Sequence, residues 1–366
     1  MNEPATTATA ATTISKDEVK AVLSELMKER VLFAPVSNGK KLDYMQVEDI
    51  EDIIFDDSLP YKSPKEIFFP RCEKIITFKD GDAIAETAAG QAVLFGARPC
   101  DLEALAIMKK IFTEGKFRDP FFEERYNNTL IIGVGCAGMK PGCFCNERET
   151  DMGRSDKCDL FLYAVSDGHS DGSGDAAGHA GDSDASEDAG QSDVDGSGGG
   201  YYTIRYVSEK GRAVLGKYIS GLAGFENAPH DFRPAKTLNI DAEEEDLFEK
   251  IDWEKIARAC QGCGVCTYIC PTCHCFAFKD VDEGHCAYRF RNWDSCMFPK
   301  FTLHASGHNP RAAKQDRYRQ RVAHKYLYVR KNFGQAACTG CGRCVRSCPA
   351  GINIKGIAEA IMEELK

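Results

Sequence analysis

The run Cys260-Gln261-Gly262-Cys263-Gly264-Val265-Cys266-Thr267-Tyr268-Ile269-Cys270-Pro271 spaces four cysteines as C-x2-C-x2-C-x3-C before a proline. The pattern returns as Cys338-Thr339-Gly340-Cys341-Gly342-Arg343-Cys344, continuing to Cys348-Pro349. Three thiolates at spacing three wrap one face of an iron–sulfur cubane from a tight loop. The fourth leaves on a following helix and ligates the other cluster of a pair. The spacing therefore assigns Cys260, Cys263, Cys266 and Cys348 to one 4Fe–4S cluster, and Cys338, Cys341, Cys344 and Cys270 to a second. Gly262, Gly264, Gly340 and Gly342 let backbone amides approach the sulfides, which tunes potential. Zinc is the rival occupant. Its sites pair C-x2-C knuckles, commonly four ligands at a time, which gives no reason for a triple plus Cys-Pro occurring twice.

Working outward, the gap between the motifs is long and Tyr318–Arg330 reads as helix, so a mainly helical two-cluster, ferredoxin-like domain is expected. Residues 311–331 hold eight Lys/Arg and one Asp: a docking face, a source of raised cluster potentials, or a solvated helix face. Cys273, Cys275, Cys286 and Cys296 either ligate another centre or pack beside the clusters as buried thiols.

The chain has 366 residues and eighteen cysteines, twelve of them at or after Cys260. No basic segment followed by an apolar one opens it, so no secretory signal is read, and the longest apolar runs are strand-sized, so nothing is expected to span a membrane. Cysteines then indicate metal or redox chemistry, and the cytoplasm of an anaerobe is the expected compartment. Of the formal net charge of −10, nine negative charges lie in residues 166–200, which have no Lys or Arg; the remainder is near −1 and says little about partners. That Gly/Ser/Asp/Ala/His segment cannot bury enough apolar surface to order itself and reads as a disordered, dispensable insertion at a hairpin tip.

Upstream, residues 1–14 read as a flexible tail and 15–240 as an α/β domain, with 241–366 as the dicluster domain. Ser15 and Glu18 fit a capping box before the apolar face of Val19, Val22, Leu23 and Leu26. Ile75–Phe78 and Ala83–Ala85 read as a hairpin about Asp80-Gly81. Val93–Ala97, Leu130–Val134, Leu160–Val165 and Tyr201–Val207 read as strands, and Asp101–Phe112 as a helix. Ligands collect at the carboxyl ends of strands in open parallel sheets. Cys100 and Cys136 would sit on that edge, with Cys143 and Cys145 on the adjoining loop, so a third cluster is expected there, with Cys158 as substitute ligand. Cys72 reads as an ordinary buried thiol. Gly133-Val134-Gly135-Cys136-Ala137-Gly138 matches G-x-G-x-x-G, but Pro141 and the two cysteines interrupt any following helix, so no flavin or NAD site is read.

Further motifs occur in fixed order: Phe95-Gly96-Ala97-Arg98-Pro99-Cys100-Asp101, Cys143-Phe144-Cys145, Cys270-Pro271-Thr272-Cys273-His274-Cys275 and Trp293-Asp294-Ser295-Cys296. Gly307-His308-Asn309-Pro310, Arg317-Tyr318-Arg319-Gln320-Arg321 and His324-Lys325 follow. Together they resemble the family of the anaerobic sulfite reductase A-subunit and the sulfhydrogenase beta-subunit, across nearly the whole chain except the tail and the acidic insertion. The resemblance implies a 4Fe–4S dicluster subunit passing electrons between a flavin-bearing, NAD(P)H-linked subunit and a catalytic reductase or hydrogenase subunit. No base or nucleophile motif for catalysis by this chain alone is read. The alternatives are a catalytic disulfide-type reductase using an N-terminal cluster and a non-enzymatic redox sensor. Nucleic acid is not an expected partner.

Overall fold

The computed structural model describes residues 12–87, 90–165, 200–219 and 237–366. Residues 1–11 of the expected tail, and the acidic insertion apart from Gly200, lie outside the described residues. Seven strands form the larger sheet, in the order β1 (Thr12–Ser15), β9 (Tyr201–Tyr206), β8 (Leu160–Ala164), β7 (Thr129–Val134), β6 (Ala92–Ala97), β2 (Val31–Ser37) and β3 (Leu42–Gln46). Strands β2, β6, β7 and β8 are parallel, flanked by antiparallel β9, β1 and β3. Strand β1, of which Thr12, Thr13 and Ile14 are expected in the tail, instead closes one edge of the sheet, because Ile14 buries its side chain in the core while the backbone pairs with β9.

Every residue of β6 and β7 is buried, as parallel strands covered on both faces require. Successive side chains point to opposite faces. Val93, Phe95, Leu130 and Ile132 meet Val19, Leu23 and Leu26 of the helix Lys16–Met27. Leu94, Ala97 and Ile131 meet Leu102, Leu105 and Met108 of the helix Pro99–Thr113. Ser15 caps the first helix through the Glu18 amide at 3.2 Å, and Glu18 returns the bond to the Ser15 amide at 2.8 Å.

The second sheet has the order β10 (Phe276–Asp282), β11 (Cys286–Trp293), β4 (Cys72–Lys79) and β5 (Asp82–Ala85). The β4–β5 turn puts Asp80 and Gly81 at positive φ, the geometry that matches strand twist in a two-residue hairpin. Cys72 opens β4 with its side chain exposed, so it is not the buried thiol expected. The β10–β11 ribbon fills the first half of the gap between the two cysteine motifs, where a mainly helical domain is expected; the helix Lys314–Ala323 and its continuation to Phe333 fill the second. Tyr288 and Phe290 alternate with Arg289 and Arg291, a strand period, and β4 offers them an edge. Strand β11 thus crosses the expected boundary near residue 240 to pair with β4. Buried Arg291 anchors that crossing by ion-pairing with Glu73, its register partner, and with Asp119. The fold is mixed α/β, sheet-rich in its N-terminal part. No helix among the described residues is long and apolar enough to cross a membrane.

Candidate metal centre

The two cysteine motifs share one backbone course. In each, the two glycines adopt positive φ (68° and 77° at Gly262 and Gly264, 66° and 69° at Gly340 and Gly342) and a one-turn helix follows, Val265–Tyr268 or Arg343–Arg346. The turn after each helix carries the fourth cysteine back towards the other motif. Cys260, Cys263, Cys266 and Cys348 line one pocket, whose wall also includes Cys344, Tyr318, Arg321 and Ile352. The spacing assigned these four cysteines to one site. Cys344, which lines the same pocket beside Arg321, has Cys270, Cys341 and Cys338 as its thiol neighbours. Burial raises Cys344 and lifts Cys341 to about 11. Iron taken up by these thiols would displace their protons, so metal binding and deprotonation are linked.

Two observations test whether these residues fit iron–sulfur clusters. The Tyr318 hydroxyl and Arg321 Nε are buried beside the first cavity with no hydrogen-bond partner; thiolate and sulfide would supply acceptors, and buried donors without acceptors are rare. The second observation is charge. Arg317, Arg321 and Lys325 lie four residues apart, on one helix face, and that face is buried. Arg317 spends its donors on the carbonyls of Met297, Arg311 and Ala312. Arg321, 3% exposed, lies against Cys266 and Cys344, between the two sets. Buried cations demand anions, and thiolate-ligated clusters are anionic. Part of the basic stretch therefore faces the cysteines rather than solvent. We expect Arg321→Leu to lower the midpoint potential of both clusters, on the order of 60 mV for about 1.4 kcal/mol. Arg319→Leu, beside Asp316 and Phe248, is expected to change little. EPR-monitored redox titration reads the difference.

The second motif is clamped to the first domain. Arg343 donates twice to Asp101, at 2.5 and 2.9 Å, with both side chains fully buried. Its Nε donates to the Pro60 carbonyl at 3.0 Å. Asp101, expected near a helix cap, caps nothing; it holds this arginine and accepts from Tyr44. A Cβ on Gly340 would lie 2.6 Å from the Phe144 backbone, and one on Gly342 2.3 Å from the Gly142 carbonyl oxygen, so only glycine lets this loop lie against residues 142–145. The Phe144 amide donates to the Gly340 carbonyl at 2.8 Å.

That contact delivers the cysteines of the first domain to the second motif. Cys100 follows β6 at the start of its helix and packs with Cys145 and Cys341 in one buried cluster. Cys145 has Cys143, Cys136 and Cys341 as thiol neighbours, and burial raises it to about 12. Cys143 sits with its thiol 3.4 Å from the Cys341 carbonyl. Buried Arg98 lies beside Cys136, donating only to carbonyls (Gly135, Asp56 and Ser58), and its Nε has no partner. Cys158, the substitute ligand, is elsewhere: it precedes β8, in the core formed with Phe161 and Leu102, its thiol 3.8 Å from the Ser155 carbonyl. Two glycines of the G-x-G-x-x-G run have a packing reason: a Cβ would lie 2.7 Å from Leu102 at Gly133 and 2.4 Å from Tyr163 at Gly135.

Residues 259–352 match the family described as 4Fe-4S dicluster domain. Over 343 residues, 91% of this chain and 93% of the relative, the sequence is 29% identical to Sulfhydrogenase 2 subunit beta of Pyrococcus furiosus. No solved structure matches the chain.

Proposed function

We propose that this chain, a homologue of the sulfhydrogenase beta subunit with a 4Fe-4S dicluster domain, is the iron–sulfur electron-transfer subunit of a cytoplasmic multi-subunit oxidoreductase, relaying electrons between an NAD(P)H-linked flavoprotein subunit and a catalytic subunit. The observation that carries the reading is the pocket in which three cysteines of the first motif meet Cys344 and Cys348 of the second. Bound there, each cluster accepts and releases one electron at a time. Cys260, Cys263, Cys266 and Cys348 hold the first, and Cys338, Cys341, Cys344 and Cys270 the second. Arg321 stands between the two and favours reduction of both. Cys263 is exposed, so the first site has a side open to a partner. Sulfite reductase-like and hydrogenase-like catalytic subunits both suit such a relay.

Cys100, Cys136, Cys143 and Cys145 hold a third cluster in this reading, against Cys341 of the second, which extends the path into the first domain. Arg98 is its counter-charge. Anaerobic co-purification with a flavoprotein and a catalytic subunit, followed by partner-dependent reduction of the chain's clusters by NAD(P)H, tests the relay. Replacing Cys100, Cys136, Cys143 and Cys145 by alanine is expected to remove about four irons per chain. Parental iron content with undiminished electron transfer would exclude the third cluster.

A further inference from the structure

Cys273, Cys275 and Cys296 belong to neither motif, nor to the cysteines gathered at the ends of β6 and β7, yet the fold brings them together. Strand β10 begins at Phe276, opposite Trp293, the last residue of β11. One residue before and a few after that pair, Cys275 and Cys296 face each other across the open end of the ribbon, where the Asp294 amide donates to the Cys275 carbonyl at 2.9 Å. Both pack in the same apolar core, with their thiols adjacent. In the extended run entering β10, residues two apart share a side. Cys273 and Cys275 are neighbours, while intervening His274 packs on Phe112 and His324. Cys286, the fourth extra cysteine, starts β11, roughly 23 Å away along the strand, and is bonded to the Tyr288 hydroxyl.

Two lysines are buried against these thiols. Lys65, 2% exposed, donates to the carbonyls of Cys273 (2.9 Å) and Tyr268 (3.3 Å), with its ammonium 3.9 Å from the centre of the Trp293 ring. Lys325, 1% exposed, donates to the Thr272 hydroxyl at 2.6 Å and faces Cys270 and Cys273. Their partners are carbonyls, a hydroxyl, a ring and thiols. Buried ammonium groups are kept charged by a nearby anion or not at all, and the groups here able to carry negative charge are cysteines. Cys270 is assigned to the second cluster, although its thiol lies against Cys273. Three thiols and a lysine remain without a role.

We propose that Cys273, Cys275 and Cys296 ligate a further iron–sulfur centre beside the second cluster, with Lys65 and Lys325 as its counter-charges. Soft thiolates from three points of the chain, converging in a dry and cationic enclosure, are the donor set iron–sulfur centres take. A structural zinc site gains nothing from two buried lysines, whereas an anionic thiolate-ligated cluster does. The inference rests on the dicluster reading only in leaving Cys270 to the second cluster.

The test uses the full chain, purified and reconstituted anaerobically, with iron content and EPR of the reduced protein as readouts. The Cys273→Ser/Cys275→Ser/Cys296→Ser variant is expected to lose about four irons and one EPR component while keeping those abolished by Cys263→Ser and Cys341→Ser. Lys65→Met is expected to keep that component and lower its midpoint potential. Parental iron in the triple variant, or a Cys275–Cys296 disulfide in the anaerobic chain by mass spectrometry, overturns the proposal. If the triple variant loses all its iron, Lys65→Met decides. A lowered midpoint in a component distinct from the two dicluster signals supports the centre, and no shift in any such component overturns it. A parental chain lacking the two dicluster signals would instead break the underlying reading.

Discussion

Cys341→Ser is expected to strip about four irons from the chain and to loosen the joint between the two cysteine motifs and the first domain. The serine oxygen is a harder ligand than thiolate and holds iron–sulfur centres poorly. The position matters as much as the chemistry. Cys341 is buried against Cys100 and Cys145, between the Gly340 and Gly342 contacts with residues 142–145. Losing its ligand there disturbs two sites at once. Cys263→Ser removes a ligand of equal rank from an exposed loop and is expected to lose or convert the first cluster alone. Because cluster binding and folding are coupled, both variants should unfold at lower denaturant, Cys341→Ser the more so. Iron analysis, EPR and anaerobic denaturation separate them. Full iron with unaltered spectra in both variants would mean that the doubled motif does not ligate as assigned.

What the sequence made legible was periodic or local. Val93–Ala97 and Leu130–Val134 are apolar runs too short for helices, and both are buried parallel strands. Ser15 and Glu18 announce a helix start that needs nothing from the rest of the chain. The cysteine spacing is local in the same way, and the structure brings Cys260, Cys263, Cys266 and Cys348 to one pocket, which Cys344 also lines. Three features were harder to see. The β10–β11 ribbon has a strand period and a Glu283-Gly284 turn, but its role rests on β4, some two hundred residues earlier, offering an edge. Arg317, Arg321 and Lys325 sit at i, i+4 spacing; charged residues at that spacing ordinarily face water, and only the carbonyls, hydroxyl and thiols that meet them on the buried side reverse the expectation. The Asp101–Arg343 pair carries no signature in either segment, since the same Asp-bearing helix start would serve a dipole or a cap.

That pair carries the last expected effect. Asp101→Asn keeps the shape of the side chain and removes its charge, leaving the Arg343 guanidinium buried with no counter-ion. Breaking a buried pair from one side costs about 3–5 kcal/mol, and this pair is wholly enclosed. Arg343→Met should cost a similar amount, by stranding the Asp101 carboxylate with only the Tyr44 hydroxyl as donor at 3.1 Å. The double variant should be less destabilised than the sum of the two, because neither charge remains. The loss should also be directional. Arg343 follows Cys341 and Gly342, and Asp101 follows Cys100, so the pair ties two cysteine loops through adjacent residues. Asp101→Asn is therefore expected to release iron from the second cluster faster than from the first, when a chelator is added anaerobically and the two EPR signals are followed in time. Equal release from both clusters at the parental rate, with an unchanged denaturation midpoint, would show that the ion pair is not what holds the second motif to the sheet edge.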